Sequence, residues 1–257
     1  MTLDYSLLDD PRITQSLFYP RRDWAPPQPG VREHLVTVEA GVSLSCRFYP
    51  SALNSPSILF FHGNGEVVSD YDWVAPYYQT EGINLFVADY RGYGMSDGTP
   101  SFSSMMADAH AVLRYFRDAL GAYDYTGPLF VMGRSLGSHS AVELAASYPD
   151  QVKGLIVESG FANAGRVLRR YNPSVDPAHL QALEKASLQR IRSLSLPVLV
   201  IYGDCDTMVP PDQALSFYEL VGSPDKRLVT IPGAGHNDIL VVGATQYFAA
   251  LKEFVAA

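Results

Sequence analysis

A serine flanked by two spaced glycines is the feature of this chain that most clearly indicates chemistry. Residues 130–137 read Phe-Val-Met-Gly-Arg-Ser-Leu-Gly, which places Ser135 in a G-x-S-x-G pattern between a buried-strand pattern and a helical one. A strand that turns into a helix within one residue crowds the backbone, so a Cβ at Gly133 or Gly137 would clash. Such a turn holds the serine in a strained conformation with its hydroxyl exposed. We therefore predict that Ser135 is a nucleophile.

A serine hydroxyl is a weak nucleophile at neutral pH and needs a general base. His236 follows the last predicted strand, within the sequence Pro-Gly-Ala-Gly-His-Asn-Asp of residues 232–238. A loop at that point lies at the carboxyl edge of a parallel sheet, which is also the edge that presents Ser135. The five other histidines fall in less suitable places: His34, His62, His110, His139 and His179. We predict His236 as the base.

An acid that orients this histidine is predicted after the penultimate strand. Residues 203–210 contain two carboxylates, Asp204 and Asp206. Asp206 is the better candidate, because Asp204 comes early in the turn, where an aspartate commonly accepts hydrogen bonds from loop amides. Glu158, at the end of an earlier strand, is the alternative location for the acid.

Acyl transfer also requires hydrogen-bond donors for the oxyanion of the tetrahedral intermediate. One predicted donor is the backbone N–H of Leu136, at the positive end of the helix that follows the serine. The second is the backbone N–H of Asn64, in the loop His-Gly-Asn-Gly-Glu of residues 62–66, where two glycines allow close approach to a substrate. His62 and Glu66 are predicted to brace this loop rather than to take part in catalysis.

Short apolar runs alternate with helical patterns along most of the chain, which is typical of a parallel sheet covered by helices on both faces. The predicted strands are 34–39, 42–49, 58–61, 85–88, 129–132, 155–157, 198–201 and 228–231. The first two form an antiparallel hairpin. Residues up to about 31 are proline-rich, and we expect an irregular tail on the surface. The whole chain is predicted to form one domain, residues 1–257, with a small lid inserted at about 161–196.

Composition excludes several classes of function. The formal charge of −8 argues against nucleic acid as a partner, because nucleic acid needs a basic surface. Cys46 and Cys205 lack the spacing of metal ligands, and we expect them to be reduced and buried. The first residues do not have the pattern of a signal peptide, and no apolar run is long enough to cross a membrane. We therefore expect a cytoplasmic protein without integral membrane association, and leave a homo-oligomer open.

Taken together, these segments resemble the α/β-hydrolase superfamily, and in particular its small-lid serine hydrolases. The resemblance rests on residues 62–66, on the sequence Asp-Tyr-Arg-Gly-Tyr-Gly-Met-Ser of 89–96, and on 133–137, 203–210 and 235–236. These segments span about residues 55–240 in the order typical of the family. The loop 89–96 is a hallmark of the family without a catalytic role, in which Arg91 is expected to form bracing hydrogen bonds.

The resemblance implies hydrolysis of an ester, thioester or amide through an acyl-enzyme, without cofactor or metal. We expect a carboxylesterase that acts on small or medium acyl esters. An acyl thioesterase or lipid-ester hydrolase is the alternative within the same class. A non-catalytic receptor built on this fold is the alternative from another class, although such a protein usually lacks one of the catalytic residues, and all candidates are present here.

Overall fold

The computed structural model describes residues 4–257. It contains one eight-stranded sheet with strand order β1-β2-β4-β3-β5-β6-β7-β8. The strands are β1 (Arg32–Glu39), β2 (Val42–Tyr49), β3 (Ser57–Phe61), β4 (Asn84–Ala88), β5 (Leu129–Arg134), β6 (Gly154–Glu158), β7 (Val198–Gly203) and β8 (Lys226–Ile231). β2 runs antiparallel to both of its neighbours, and all pairings from β4 to β8 are parallel. This is the α/β-hydrolase fold with the predicted N-terminal hairpin.

Eight helices accompany the sheet in the described part of the chain. They are α1 (Pro11–Leu17), α2 (Ala75–Thr80), α3 (Phe102–Ala122), α4 (Ser138–Ser147), α5 (Ala164–Tyr171), α6 (Pro177–Arg192), α7 (Pro211–Leu220) and α8 (Ile239–Val255). Alternate residues of each central strand point to opposite faces of the sheet. In β3, Leu59 and Phe61 pack under α3 and α4, whereas Ile58 and Phe60 pack under α2 and α8. Burial on both faces explains why the central strands are continuous apolar runs.

The N-terminal segment differs from the predicted irregular tail. It contains helix α1, and the side chains of Leu8 and Ile13 are buried in the main core. Asp10 caps this helix by accepting a hydrogen bond from the amide of Arg12 at 2.8 Å, and Pro11 occupies its first position. The Asp-Pro pair is a helix-start signal, because proline lacks the amide that the first turn leaves unpaired. The abundance of proline further along the segment obscured this signal in the sequence.

The predicted insertion at 161–196 contains the helices α5 and α6. Asp176 accepts a hydrogen bond from the amide of Ala178 at 2.7 Å, and Pro177 begins α6, as the sequence indicated. The two helices pack on each other, and Arg169 of α5 forms an ion pair with Glu184 of α6 at 2.7 Å.

Three further expectations concern smaller features. In the loop 89–96, Gly92 and Gly94 have positive φ angles, and Arg91 binds the carboxylate of Asp108 in α3 at 2.8 and 2.9 Å. Both cysteines are free; Cys46 is buried as expected, but Cys205 is exposed because it lies in the loop after β7. Among residues 4–257, no helix has the length and apolar character that a membrane crossing requires.

Candidate active site

The backbone at Ser135 has the strained turn that the two glycines predicted. β5 ends at Arg134, Ser135 has φ 50°, and a short 3₁₀ turn leads from it into α4. A Cβ on Gly133 would lie 2.3 Å from the carbonyl oxygen of Gly137, and one on Gly137 would lie 2.1 Å from the carbonyl oxygen of Phe61. Only glycine fits where backbone approaches backbone so closely. A positive φ at a non-glycine residue costs energy and is often found at functional sites.

Three predicted side chains lie in a hydrogen-bonded row at the carboxyl edge of the sheet. The Oγ of Ser135 is 3.0 Å from Nε2 of His236. The Nδ1 of the same ring is 2.8 Å from Oδ2 of Asp206. His236 and Asp206 are buried, so the row is shielded from water except at the serine. Because Nδ1 faces a carboxylate, it carries the proton, and Nε2 is left as an acceptor toward the hydroxyl.

Asp206 is held in its charged form by the groups around it. Burial disfavours its ionisation, but the hydrogen bond with His236 and those from the amides of Val209 and Met208 outweigh that cost. The pKa of Asp206 is therefore below its usual value. Both amides donate to its Oδ1 at 2.8 Å, which leaves Oδ2 for the histidine.

The two other carboxylates considered from the sequence have different surroundings. Asp204 accepts a hydrogen bond from the amide of Gly233 at 2.6 Å and so braces the loop that precedes His236. Glu158 accepts hydrogen bonds from the hydroxyl of Tyr247 at 2.7 Å and from Nε of Arg134 at 3.1 Å. Neither side chain forms a hydrogen bond with the imidazole of His236 within the described residues.

The two amides predicted to face an oxyanion lie beside the serine. Asn64 and Leu136 line the same pocket as Ser135. Within residues 4–257, the backbone N–H of neither residue has a hydrogen-bond acceptor. The Asn64 side chain is occupied elsewhere: its Oδ1 accepts from the hydroxyl of Tyr93 at 2.6 Å and from the amide of Tyr19 at 3.0 Å. These bonds fix the loop while leaving its amide free.

His62 and Glu66 brace the loop around Asn64. Both ring nitrogens of His62 are engaged, Nδ1 with the carbonyl oxygen of Gly63 at 2.8 Å and Nε2 with Oδ1 of Asp89 at 3.1 Å. Burial lowers the pKa of His62, but the hydrogen bond to Asp89 and the negative charges of Asp89 and Glu66 together outweigh this effect, so the pKa is raised. Glu66 accepts from the amide of Gly63 at 2.7 Å and from the hydroxyl of Tyr71 at 2.7 Å.

Arg134 is a residue of the site that the sequence analysis did not single out. It occupies the variable position before the serine, and its guanidinium contacts the carboxylates of both Glu66 and Glu158. Its Nη2 also donates to the backbone carbonyl oxygen of His236 and to Oδ1 of Asn237, each at 2.8 Å. Arg134 therefore links the end of β6 to the loops that follow β3 and β8. No local pattern indicates this role, because its partners are far apart in the chain.

The pocket above Ser135 has a volume of about 440 Å³. Leu17 and Tyr19, from the N-terminal segment, form part of its wall, and α5 contributes Val167 and Tyr171. Met208 and Val209, from the loop that contains Asp206, also line the pocket. Within the described residues, no group of histidine, cysteine, aspartate or glutamate side chains is arranged to hold a metal ion.

Comparison with protein families gives a match over most of the chain. The Hydrolase_4 family model, described as serine aminopeptidase, S33, matches residues 54–181 and 178–240. These residues include every predicted site residue, from Asn64 to His236. The chain belongs to this family of α/β hydrolases. The resemblance noted from the sequence is thereby confirmed.

Three relatives show how far the similarity extends. An uncharacterized protein of Mycobacterium tuberculosis is 30% identical over 231 residues, which cover 88% of this chain and 80% of that protein. Protein bem46 of Schizosaccharomyces pombe is 29% identical and is matched over 78% of this chain and 67% of its own length. Human alpha/beta hydrolase domain-containing protein 17B is 29% identical, and the match covers 84% of this chain and 72% of that protein.

Solved structures of two esterases have a similar fold. Est1E from Butyrivibrio proteoclasticus, solved with ferulic acid bound, has a TM-score of 0.72 and 22% identity, covering 87% of this chain and all of that one. The esterase Pf2001 from Pyrococcus furiosus also has a TM-score of 0.72, with 20% identity. The match covers 92% of this chain and 98% of that one. At this level of identity the comparison establishes the fold of the chain and leaves its substrate open.

Proposed function

We propose that this protein is a serine carboxylesterase that cleaves small or medium acyl esters through an acyl-enzyme. The observation that carries the proposal is the row of Ser135, His236 and Asp206, with distances of 3.0 and 2.8 Å. In this proposal His236 removes the hydroxyl proton as Ser135 attacks the carbonyl carbon, and Asp206 stabilises the imidazolium that forms. His236 then gives the proton to the leaving alcohol.

The oxyanion of the tetrahedral intermediate is proposed to bind the amides of Asn64 and Leu136. Both residues line the pocket, and their backbone N–H groups lack an acceptor within the described residues, which supports their assignment as donors to the developing negative charge. Water activated by His236 then attacks the acyl carbon, and the acid leaves as the serine recovers its proton.

The pocket favours a small or medium substrate. Its volume of about 440 Å³ lies toward the lower end of the range typical of small-molecule sites, roughly 300–1,000 Å³. The helices α5 and α6 are proposed to act as the lid, because α5 supplies part of the pocket wall. Thioester hydrolysis uses the same groups and is the second candidate within the class.

Aminopeptidase activity, which the family description names, is less well supported by the pocket. An aminopeptidase must bind the free ammonium group of its substrate, and a carboxylate is the usual partner for such a cation. None of the described residues that line the pocket is aspartate or glutamate.

The cytoplasmic location and a homo-oligomer remain predictions from the sequence.

The proposal is tested with purified protein and p-nitrophenyl esters from acetate to palmitate, together with one acyl thioester and one aminoacyl p-nitroanilide. We expect the highest kcat/KM on short or medium esters, and its loss in Ser135→Ala. Ser140→Ala is the matched control, since this nearby buried hydroxyl has no hydrogen-bond partner among the described residues. Hydrolysis that persists in Ser135→Ala, or turnover of the anilide alone, would contradict the proposal.

A further inference from the structure

The charge of the pocket is opposite to that of the chain as a whole. The protein has 27 acidic and 19 basic side chains. The pocket above Ser135 is nevertheless lined by Arg166 and Arg170 and, within the described residues, by no carboxylate. The two arginines are one helical turn apart in α5, so they lie on the same face of that helix. The pocket therefore has a positive wall.

Neither of these arginines forms an ion pair with a described residue. Arg169, between them in α5, is paired with Glu184 instead, and the buried Arg134 has two carboxylate partners. The guanidinium of Arg166 lies 5.2 Å from the ring centroid of Phe161, and that of Arg170 lies 5.8 Å from the ring of Tyr171. An aromatic face holds a cation in place without using its N–H donors, which stay available for an anion.

The aromatic rings that hold the arginines also belong to the pocket. Phe161 and Tyr171 line it together with Ser135 and the two predicted oxyanion donors. An anion bound by these arginines would therefore share one cavity with the reacting carbonyl. Guanidinium groups match carboxylate and phosphate oxygens with paired hydrogen bonds.

We propose that the natural substrate is an ester that carries an anionic group, a carboxylate or a phosphate, which pairs with Arg166 and Arg170 while Ser135 attacks the carbonyl. The inference rests on the proposed esterase function and names its class of substrate. The anion takes no part in bond breaking. Water adds across the ester bond to give the acid and the alcohol, and the anionic group emerges unchanged on one of these products.

The test compares anionic esters with neutral esters of nearly equal size. For an anion on the acyl side, the pair is mono-p-nitrophenyl adipate and its methyl ester. For an anion on the alcohol side, the substrates are the butyrates of para-hydroxybenzoate and para-hydroxyphenyl phosphate, compared with the butyrate of para-hydroxybenzamide. The quantity measured is the ratio of kcat/KM for the anionic and the neutral substrate. The substrate with the highest ratio identifies the position and chemistry of the anion.

We expect the ratio to exceed one for at least one anionic ester, and to fall about two- to fivefold in Arg166→Gln and in Arg170→Gln, as is typical of an exposed charge pair. Arg169→Gln is the matched control: it removes the same charge from the same helix, and its side chain does not line the pocket. The wild-type ratio should also decrease with ionic strength, because the Debye length shortens from about 30 Å at 0.01 M to about 3 Å at 1 M.

Two outcomes would overturn the inference in different ways. If neutral esters are hydrolysed and no anionic ester is preferred, or if Arg169→Gln lowers the ratio as much as the two other variants, the inference is wrong and the esterase function stands. If no ester of either kind is hydrolysed, the proposed function is wrong, and the inference falls with it.

Discussion

Replacing Arg134 with methionine should destabilise the protein strongly, because this guanidinium neutralises two carboxylates in a buried setting. Arg134 is 9% exposed and Glu158 is 4% exposed. Methionine has a similar length but leaves Glu66 and Glu158 without their cation. Removing one partner of a buried ion pair typically costs about 3–5 kcal/mol, because an uncompensated charge remains. For a protein of this size, that corresponds to a decrease of roughly 6–20 °C in Tm.

Thermal unfolding, followed by circular dichroism, measures this effect. Arg169→Met is the control, since its ion pair with Glu184 is largely exposed on the arginine side and should contribute no more than about 1 kcal/mol. Adding Glu158→Gln to Arg134→Met should recover part of the lost stability, because the double variant no longer buries that charge. Equal decreases in Tm for Arg134→Met and Arg169→Met would show that Arg134 does not stabilise the fold by neutralising Glu66 and Glu158.

The cost of Arg134→Met should depend on pH in a defined direction. Burial raises the pKa of Glu158, although Arg134 and Tyr247 act in the opposite direction. A carboxyl whose folded-state pKa is raised destabilises the fold at pH values above that pKa, and this penalty disappears as the pH falls and the group is protonated. Loss of the cation raises the pKa of Glu158 further. The variant should therefore approach the wild-type stability as the pH is lowered from 8 to 5.

Three further predictions concern the turn, the acid and a buried histidine. Gly137→Ala should lower the free energy of unfolding by about 1–3 kcal/mol or more, because its Cβ would lie 2.1 Å from the carbonyl oxygen of Phe61. The control is Gly121→Ala, where the added Cβ has open space around it. This control should instead stabilise α3 by about 0.5–1 kcal/mol. Asp206→Asn should reduce kcat on the best ester roughly 10⁴-fold with little change in Tm, because it allows the wrong tautomer of the histidine; a decrease below tenfold would exclude Asp206 as the orienting acid. Burial lowers the pKa of His139 from 6.5 to about 4. The stability that its neutral ring contributes is therefore fully present above pH 6.5 and is lost as the pH falls toward 4. In His139→Leu the free energy of unfolding, measured by chemical denaturation at several pH values, should depend less on pH across that interval, and an unchanged pH dependence would contradict the assignment.

The sequence predicted the sheet well because of a physical feature of parallel strands. Strands buried on both faces are continuous apolar runs, and β3, β5 and β7 are recognisable without any knowledge of their partners. The structure brings Ser135 and His236 together because both follow strands that end at the same edge. Their positions in the sequence were therefore sufficient to predict that they would be neighbours.

Other features could not be predicted from local sequence. Arg134 occupies a position of the G-x-S-x-G pattern that any residue can fill, and its partners at positions 66, 158 and 236 become neighbours only in the folded chain. The positive wall formed by Arg166 and Arg170 depends on where α5 lies above the serine. In the N-terminal segment, the cap at Asp10 was present in the sequence, but the overall abundance of proline favoured the wrong interpretation.

The proposed function requires that Ser135 is a nucleophile activated by His236 and Asp206. Intact-protein mass spectrometry after incubation with a fluorophosphonate measures this activation, since the reagent reacts with activated serines whatever the natural substrate is. We predict one adduct per chain, located by peptide mapping at Ser135, and no adduct in Ser135→Ala. An unmodified wild-type protein, or an adduct that persists in Ser135→Ala, would show that Ser135 is not the activated nucleophile.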